Sequence, residues 1–192
     1  MPGGANDHAL LWSYQPYHTA HIKIQYKGVG NFRLASTGQL QELFKYIVEN
    51  EGPIAVGLAK RRIINAYSID RAGARIVDAL EYAIYAAVQK GLFRRNGEFL
   101  WPKDVNTIVV RIPRNGEGSR SIEEIPPEEL QQGIYLCIKS ALSMEKEDLI
   151  KQTAKLFGLK ASNKVIPIIE KNLEKLVLSK KLAFREGKIR LP

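Results

Sequence analysis

The residues most able to do chemistry in this sequence are basic, and the chemistry they suggest is the holding of a polyanion. Arg71 and Arg75 bracket the run Arg71-Ala72-Gly73-Ala74-Arg75-Ile76, which leads into an apolar helical pattern, and Arg94 and Arg95 precede a turn. In the C-terminal half, Lys160 and Lys164 fall at the places of Arg71 and Arg75, and Arg185, Lys188 and Arg190 lie in the corresponding hairpin. A guanidinium or ammonium at the entrance of a helix, or on a hairpin beside it, is well placed to meet phosphate oxygens. These nine side chains form the expected nucleic-acid-binding set. The chain has 29 Lys plus Arg against 20 Asp plus Glu, a net charge of +9, which favours anionic partners. Residues 1–102 hold 12 basic and 8 acidic side chains and residues 103–192 hold 17 and 12, so neither half is a detached basic tail.

Other chemistries find little support. A phosphate-cradling loop needs G-x-x-x-x-G-K-[ST], which does not occur, and Gly28-Val29-Gly30 among polar residues reads as a turn. The histidines are His8, His18 and His21, and His18-x-x-His21 has no cysteine or third ligand nearby to complete a zinc site. Glu123-Glu124 and Glu128-Glu129 sit where helices should start and suit capping and solubility rather than paired acid–base work. The single Cys137, inside Ile134-Tyr135-Leu136-Cys137-Ile138, reads as a small buried thiol and rules out a disulfide within the chain. The expectation is a protein without catalytic residues, metal or cofactor. Met1–His8 lacks the basic-then-apolar order of a secretory leader, and no apolar run approaches the roughly 18 residues of a membrane span, so a cytoplasmic protein without a membrane partner is expected.

The elements that must position the basic residues are legible from an internal repeat at a shift of 89 to 91. Leu92 to Pro102 lies over Leu182 to Pro192 with a glycine and a final proline aligned, and Arg71 to Ile76 lies over Lys160 to Val165. Ile22-Lys23-Ile24-Gln25-Tyr26 and Ile108-Val109-Val110-Arg111 are strand-like lead-ins. In the first copy, Leu40, Leu43, Phe44, Ile47 and Val48 follow helical spacing up to Gly52-Pro53, and Leu58 to Tyr67 makes a second helix carrying Lys60-Arg61-Arg62, read as a solvated face. A third helix follows from Ile76, Ala79, Leu80, Ala83, Ile84, Ala87 and Val88, ending at Lys90-Gly91. Tyr82 and Tyr85 fall off its apolar stripe and suit stacking on bases, although burial against the other copy is the commoner fate of such residues and is the one expected. Two short strands around Asn96-Gly97 complete the unit.

The second copy repeats this order with Leu130, Ile134 and Ile138, then Leu149 to Phe157, then Ile166, Ile169, Leu173, Leu176 and Val177, and a hairpin at Glu186-Gly187. Pro167 fits only the first turn of its third helix. The run Pro113 to Arg120 reads as a flexible loop, and Pro126-Pro127-Glu128-Glu129 as a helix start. The expected fold is α+β and mainly helical: tandem duplicated winged-helix domains, each a helix-turn-helix with a β-hairpin wing. The first, residues 1–102, includes an N-terminal strand segment, and the second, 103–192, includes a linker strand and loop.

The ordered set Glu51-Gly52-Pro53-Ile54, Arg71-x-Gly73-x-Arg75-Ile76, Gly97-x-Phe99-Leu100-Trp101-Pro102, Val110-Arg111 and Ile125-Pro126-Pro127-Glu128-Glu129-Leu130 resembles domain-of-unknown-function family 3320. That resemblance implies a setting towards the C-terminal end of large superfamily I helicase-like proteins, with a helicase or ATPase motor in the same or a partner chain. It implies DNA handling beside that motor and no reaction of its own. The function expected is therefore a nucleic-acid-binding accessory module acting on DNA. A protein-docking or regulatory module without nucleic-acid contact is the alternative, because fold does not fix function.

Overall fold

The computed structural model describes residues 14–105, 107–114 and 117–192. The expected roles of Met1–His8, the ligand reading of His8 and the loop residues Asn115 and Gly116 lie outside them. The fold is α+β with helices dominant, as expected, and it divides into two compact units. The first unit is His18–Asn106; the second is Thr107–Pro192 together with the segment that ends at Tyr17. The division falls near residue 106, against a sequence boundary at 102, and the described residues 14–17 belong to the second unit. Strand β1 (Tyr14–Pro16) pairs in parallel with β5 (Val110–Ile112), so the chain lends its first described strand to the second unit.

In the first unit the elements are α1 (Val29–Leu34), α2 (Thr37–Glu51), β2 (Ile54–Ala55), α3 (Val56–Ala66), α4 (Ala74–Gln89), β3 (Arg94–Asn96) and β4 (Phe99–Trp101). The second unit follows β5 with a short 3-10 turn (Ile122–Glu124), then α5 (Pro127–Ala141), β6 (Ser143–Glu145), α6 (Lys146–Leu156), α7 (Val165–Leu178), β7 (Ala183–Arg185) and β8 (Lys188–Arg190). Each unit therefore sets three longer helices before an antiparallel hairpin. A short strand between the first two of those helices joins the hairpin's inner strand, in the orders β2-β4-β3 and β6-β8-β7. Ile22–Tyr26, expected as a strand, is not one: Ile22 and Ile24 pack against the first core without a strand partner among the described residues.

Local chemistry sets these boundaries. Helix α2 starts at a capping box, where Gln39 N donates to Ser36 Oγ at 3.2 Å and Ser36 N donates to Gln39 Oε1 at 2.8 Å. It ends at Gly52, where a side chain has no room, because an added Cβ would lie 2.6 Å from Pro102 at the end of the hairpin. Pro167 takes the third position of α7, whose N–H has no partner within the helix.

The buried stripes of the two units correspond residue by residue. Leu40, Phe44, Ile47 and Val48 of α2 have Leu130, Ile134, Cys137 and Ile138 ninety positions later. Ile76, Leu80, Ile84 and Ala87 of α4 have Val165, Ile169, Leu173 and Leu176 eighty-nine positions later. The hairpins keep that second offset, with Phe93 and Leu100 answered by Leu182 and Ile189 in the cores. The glycines do not share it. The first hairpin turns on Gly97-Glu98 rather than Asn96-Gly97, with only Gly97 at positive φ, whereas the second turns on Glu186-Gly187 with both at positive φ. Aligning the glycines thus misplaces the turn by one residue.

Candidate functional site

The clearest concavity lined by the expected residues lies in the first unit, where α1, the entrance of α2 and the entrance of α4 meet. It is a cleft of about 740 Å³ whose wall includes Arg71, Gly73, Ala74 and Arg75 from the α4 entrance, and Arg33 from α1. Val29, Phe32, Ala35, Leu40, Ile76 and Ala79 line the rest. No carboxylate lines it, and Arg33, Arg71 and Arg75 are exposed and take no ion-pair partner among the described residues.

The backbone adds to this field. Gly73, the N-cap of α4, supplies no side-chain acceptor, and the first turn of α4 holds no acidic residue, so the positive end of a 16-residue helix is left uncompensated. Three guanidiniums on one cleft wall, without ion-pair partners among the described residues, and an uncapped helix start make a positive field that favours an anion. Arg33 is not among the residues expected from the sequence, where Gly28-Val29-Gly30 reads as a turn. Gly28 is indeed at positive φ, but Val29 begins α1, and that six-residue helix carries Arg33 to the cleft. The missed signal was Phe32 beside Arg33, a buried aromatic that pins the helix by an edge-on contact with Tyr67, ring centroids 5.2 Å apart.

Neither hairpin arginine lines the cleft with Arg71 and Arg75. They are neighbours in β3, so their side chains leave opposite sides of the strand. Arg94 Nη2 donates to the carbonyls of Pro102 at 3.3 Å and Val105 at 3.0 Å. Arg95 is tied to Glu81 of α4, which also binds Lys60. Hydrogen bonds from Lys60 and Arg95 hold the Glu81 carboxyl below its ordinary range. Lys60-Arg61-Arg62 is accordingly not a solvated face. Lys60 is in that pair, and Arg62 grips Glu51 with Nε to Oε1 at 2.9 Å and Nη2 to Oε2 at 3.0 Å. Glu51 is buried and also accepts from Ala20 N at 2.8 Å, fastening the unit's leading segment. Tyr82 and Tyr85 are 61% and 60% exposed rather than buried.

In the second unit the basic residues meet different surroundings. Lys160, Arg185 and Lys188 are exposed. Arg190 Nη2 reaches Glu186 Oε2 at 2.6 Å across the hairpin turn. Lys164, the counterpart of Arg75, pairs with Glu123 at 2.9 Å, and that hydrogen bond holds Glu123 below the usual carboxylate range. Glu123 stands ninety positions after Arg33, just as the buried Ile122 stands ninety after Phe32. A charge reversal at one site thus closes the second corner on itself.

Glu129 is not the exposed helix-start acid the sequence suggested: its side chain is fully buried and accepts from Arg111 N at 2.8 Å and from Arg120 Nη1 and Nη2 at 3.0 and 2.8 Å. Burial pushes its pKa up, but the hydrogen bonds from Arg120 and the charges of Arg111 and Arg120 outweigh that and lower it. Arg120, expected in a flexible loop, is 4% exposed and stacks 4.2 Å above the Tyr17 ring, which locks the N-terminal strand to the second unit.

Residues 31–78 match a family model described as "Protein of unknown function (DUF3320)". The matched stretch runs from α1 into α4 and contains Arg33, Arg71 and Arg75. No curated protein and no solved structure matches the chain. Cys137 is buried, with its thiol pushed up by desolvation. His18 and His21 are exposed, and among the described residues no group of three or more metal-ligating side chains gathers. Nor is any described helix long and apolar enough to cross a membrane.

Proposed function

We propose that this chain is a non-catalytic nucleic-acid-binding module that acts on DNA in the service of a helicase or ATPase motor, and that its contact surface is the arginine-lined cleft of the first unit. The observation that carries the reading is the convergence of Arg33, Arg71 and Arg75, without an ion-pair partner among the described residues, on the uncapped entrance of α4. The order of three helices and a hairpin, with a short strand completing the sheet, is the winged-helix order, and its recurrence with corresponding buried stripes supports a tandem duplication. In winged-helix readers the entrance of the third helix faces a groove, and here that entrance is α4. Phosphate contacts dominate such binding, so affinity falls steeply with salt. The helicase setting rests on the family resemblance, and a cytoplasmic place on the composition.

The test is a titration of the full chain with labelled duplex at several salt concentrations, repeated for Arg71→Ala/Arg75→Ala and for Lys160→Ala/Lys164→Ala. The first pair weakens binding and the second has the smaller effect, because Lys164 is already held by Glu123. Negligible affinity at low salt in the wild type refutes the reading. One observation favours the docking alternative: in the second unit an apolar groove of about 450 Å³ lies between α7 and the hairpin, with Leu178 and Phe184 82% and 58% exposed. Phe184 stands where the first unit has the ion-paired Arg95, eighty-nine positions earlier.

A further inference from the structure

The arginine-lined cleft is more than a charged patch, because its floor is apolar. Phe32, Leu40 and Ile76 are buried beneath it, Ala35 and Ala79 keep it open with side chains of one carbon, and the guanidiniums stand at its edge. A phosphate running along a duplex backbone uses the edge and leaves the floor wet. A ligand that satisfies both parts is anionic at one end and flat and weakly polar at the other. The volume of about 740 Å³ is within the range of roughly 300–1,000 Å³ typical of small-ligand pockets. The second unit supplies a contrast: Glu123 replaces Arg33 and neutralises Lys164, so this combination of edge and floor belongs to the first unit.

Building on the nucleic-acid reading above, we infer that the cleft captures an unpaired nucleotide at a strand end or fork, its phosphate held by Arg33, Arg71 and Arg75 and its base laid over the apolar floor. A base inside a duplex cannot enter, because stacking and pairing hold it, whereas an unpaired one exposes its face. The module then distinguishes forked or overhanging DNA from blunt duplex without reading sequence, since every base has an apolar face.

The experiment compares the full chain on a blunt duplex and on the same duplex with a short single-stranded overhang carrying 2-aminopurine. The overhang binds about tenfold more tightly, the size expected for covering roughly 50–60 Å² of apolar surface, and the 2-aminopurine emission changes on binding. Ala79→Phe fills the floor and leaves the arginines in place, so in this variant blunt and overhanging DNA bind equally. If circular dichroism shows that this variant is misfolded, Ala79→Leu makes the smaller intrusion and carries the same expectation. Equal binding of blunt and overhanging DNA, both weakened by Arg71→Ala/Arg75→Ala, overturns nucleotide capture and leaves the phosphate reading standing. No binding of either DNA overturns both. An overhang preference that survives in a folded Ala79 variant overturns the placement of the base on this floor.

Discussion

At the corner where the third long helix of each unit begins, the first unit gathers Arg33, Arg71 and Arg75 without a carboxylate, and the second sets Glu123 against Lys164. The difference extends deeper. Gln39 in the first unit is a neutral capping residue, and ninety positions on stands Glu129, buried under two guanidiniums. Similar element orders thus carry different electrostatic plans: the first unit's cleft holds three guanidiniums without ion-pair partners among the described residues, whereas the second unit pairs Arg111, Arg120 and Lys164 with its own carboxylates. The lesson is that counting basic residues at matched positions overstates likeness. What decides availability is where the acids are.

The largest effect should come from breaking the buried Glu129 cluster of the second unit. Glu129→Gln removes a carboxylate from beneath Arg111 and Arg120 and should destabilise the fold by about 3–5 kcal/mol, the usual range for breaking a buried ion pair by removing one partner. Urea denaturation measures it, and a loss near zero means the cluster is better solvated than its burial indicates. Glu129 also gives a pH signature. Its folded pKa is lowered, so its stabilisation is fully present above the ordinary glutamate value and is lost as pH falls through the lowered one. Glu129→Gln should therefore flatten that acid limb in thermal melts between neutral and acid pH.

The next effect comes from making the open corner resemble the closed one. Arg33→Glu places an acid where the second unit has Glu123, beside Arg75, and should lower duplex affinity by about tenfold or more at low salt while leaving the unfolding midpoint nearly unchanged. Unaltered affinity would mean that Arg33 faces no ligand. The reverse swap, Glu123→Arg, frees Lys164 and should raise affinity severalfold, a smaller change because a three-residue 3-10 turn stands there in place of the six-residue α1. The smallest effect belongs to Arg95→Ala. Glu81 keeps Lys60, and Arg95 is already committed, so duplex affinity should shift by less than about twofold, consistent with the low worth of partly exposed pairs. A loss as large as that of Arg33→Glu would move the contact surface to the hairpin.

Much of this architecture was legible in the sequence. Apolar periodicity found the six long helices within a few residues, and the glycines found both hairpins, because those signals are local and repeat every turn. Arg71 and Arg75 were legible too, as cations at a helix entrance. Ion pairing was not: Glu81 with Lys60 and Arg95, Glu51 with Arg62, and Glu129 with Arg120 join residues on different elements, and nothing in the spacing along one element reveals them. The role of Arg33 was hidden for a related reason, since α1 is a single short helix whose only buried residue is Phe32 and which shows no period. The strand at Tyr14–Pro16 has no periodic signal either. Its partner is β5, almost a hundred residues away.

The claim on which the account turns is that three arginines of the first unit, and not the basic residues at large, meet the phosphates. The most direct measurement is the slope of the logarithm of the duplex binding constant against the logarithm of salt concentration, for the wild type and for the Arg33→Ala/Arg71→Ala/Arg75→Ala variant. Each lost contact should reduce the magnitude of the slope by about 0.9, so the variant should fall short of the wild type by between roughly 2 and 3. An identical slope with affinity intact would contradict the account and place the contact elsewhere on the molecule.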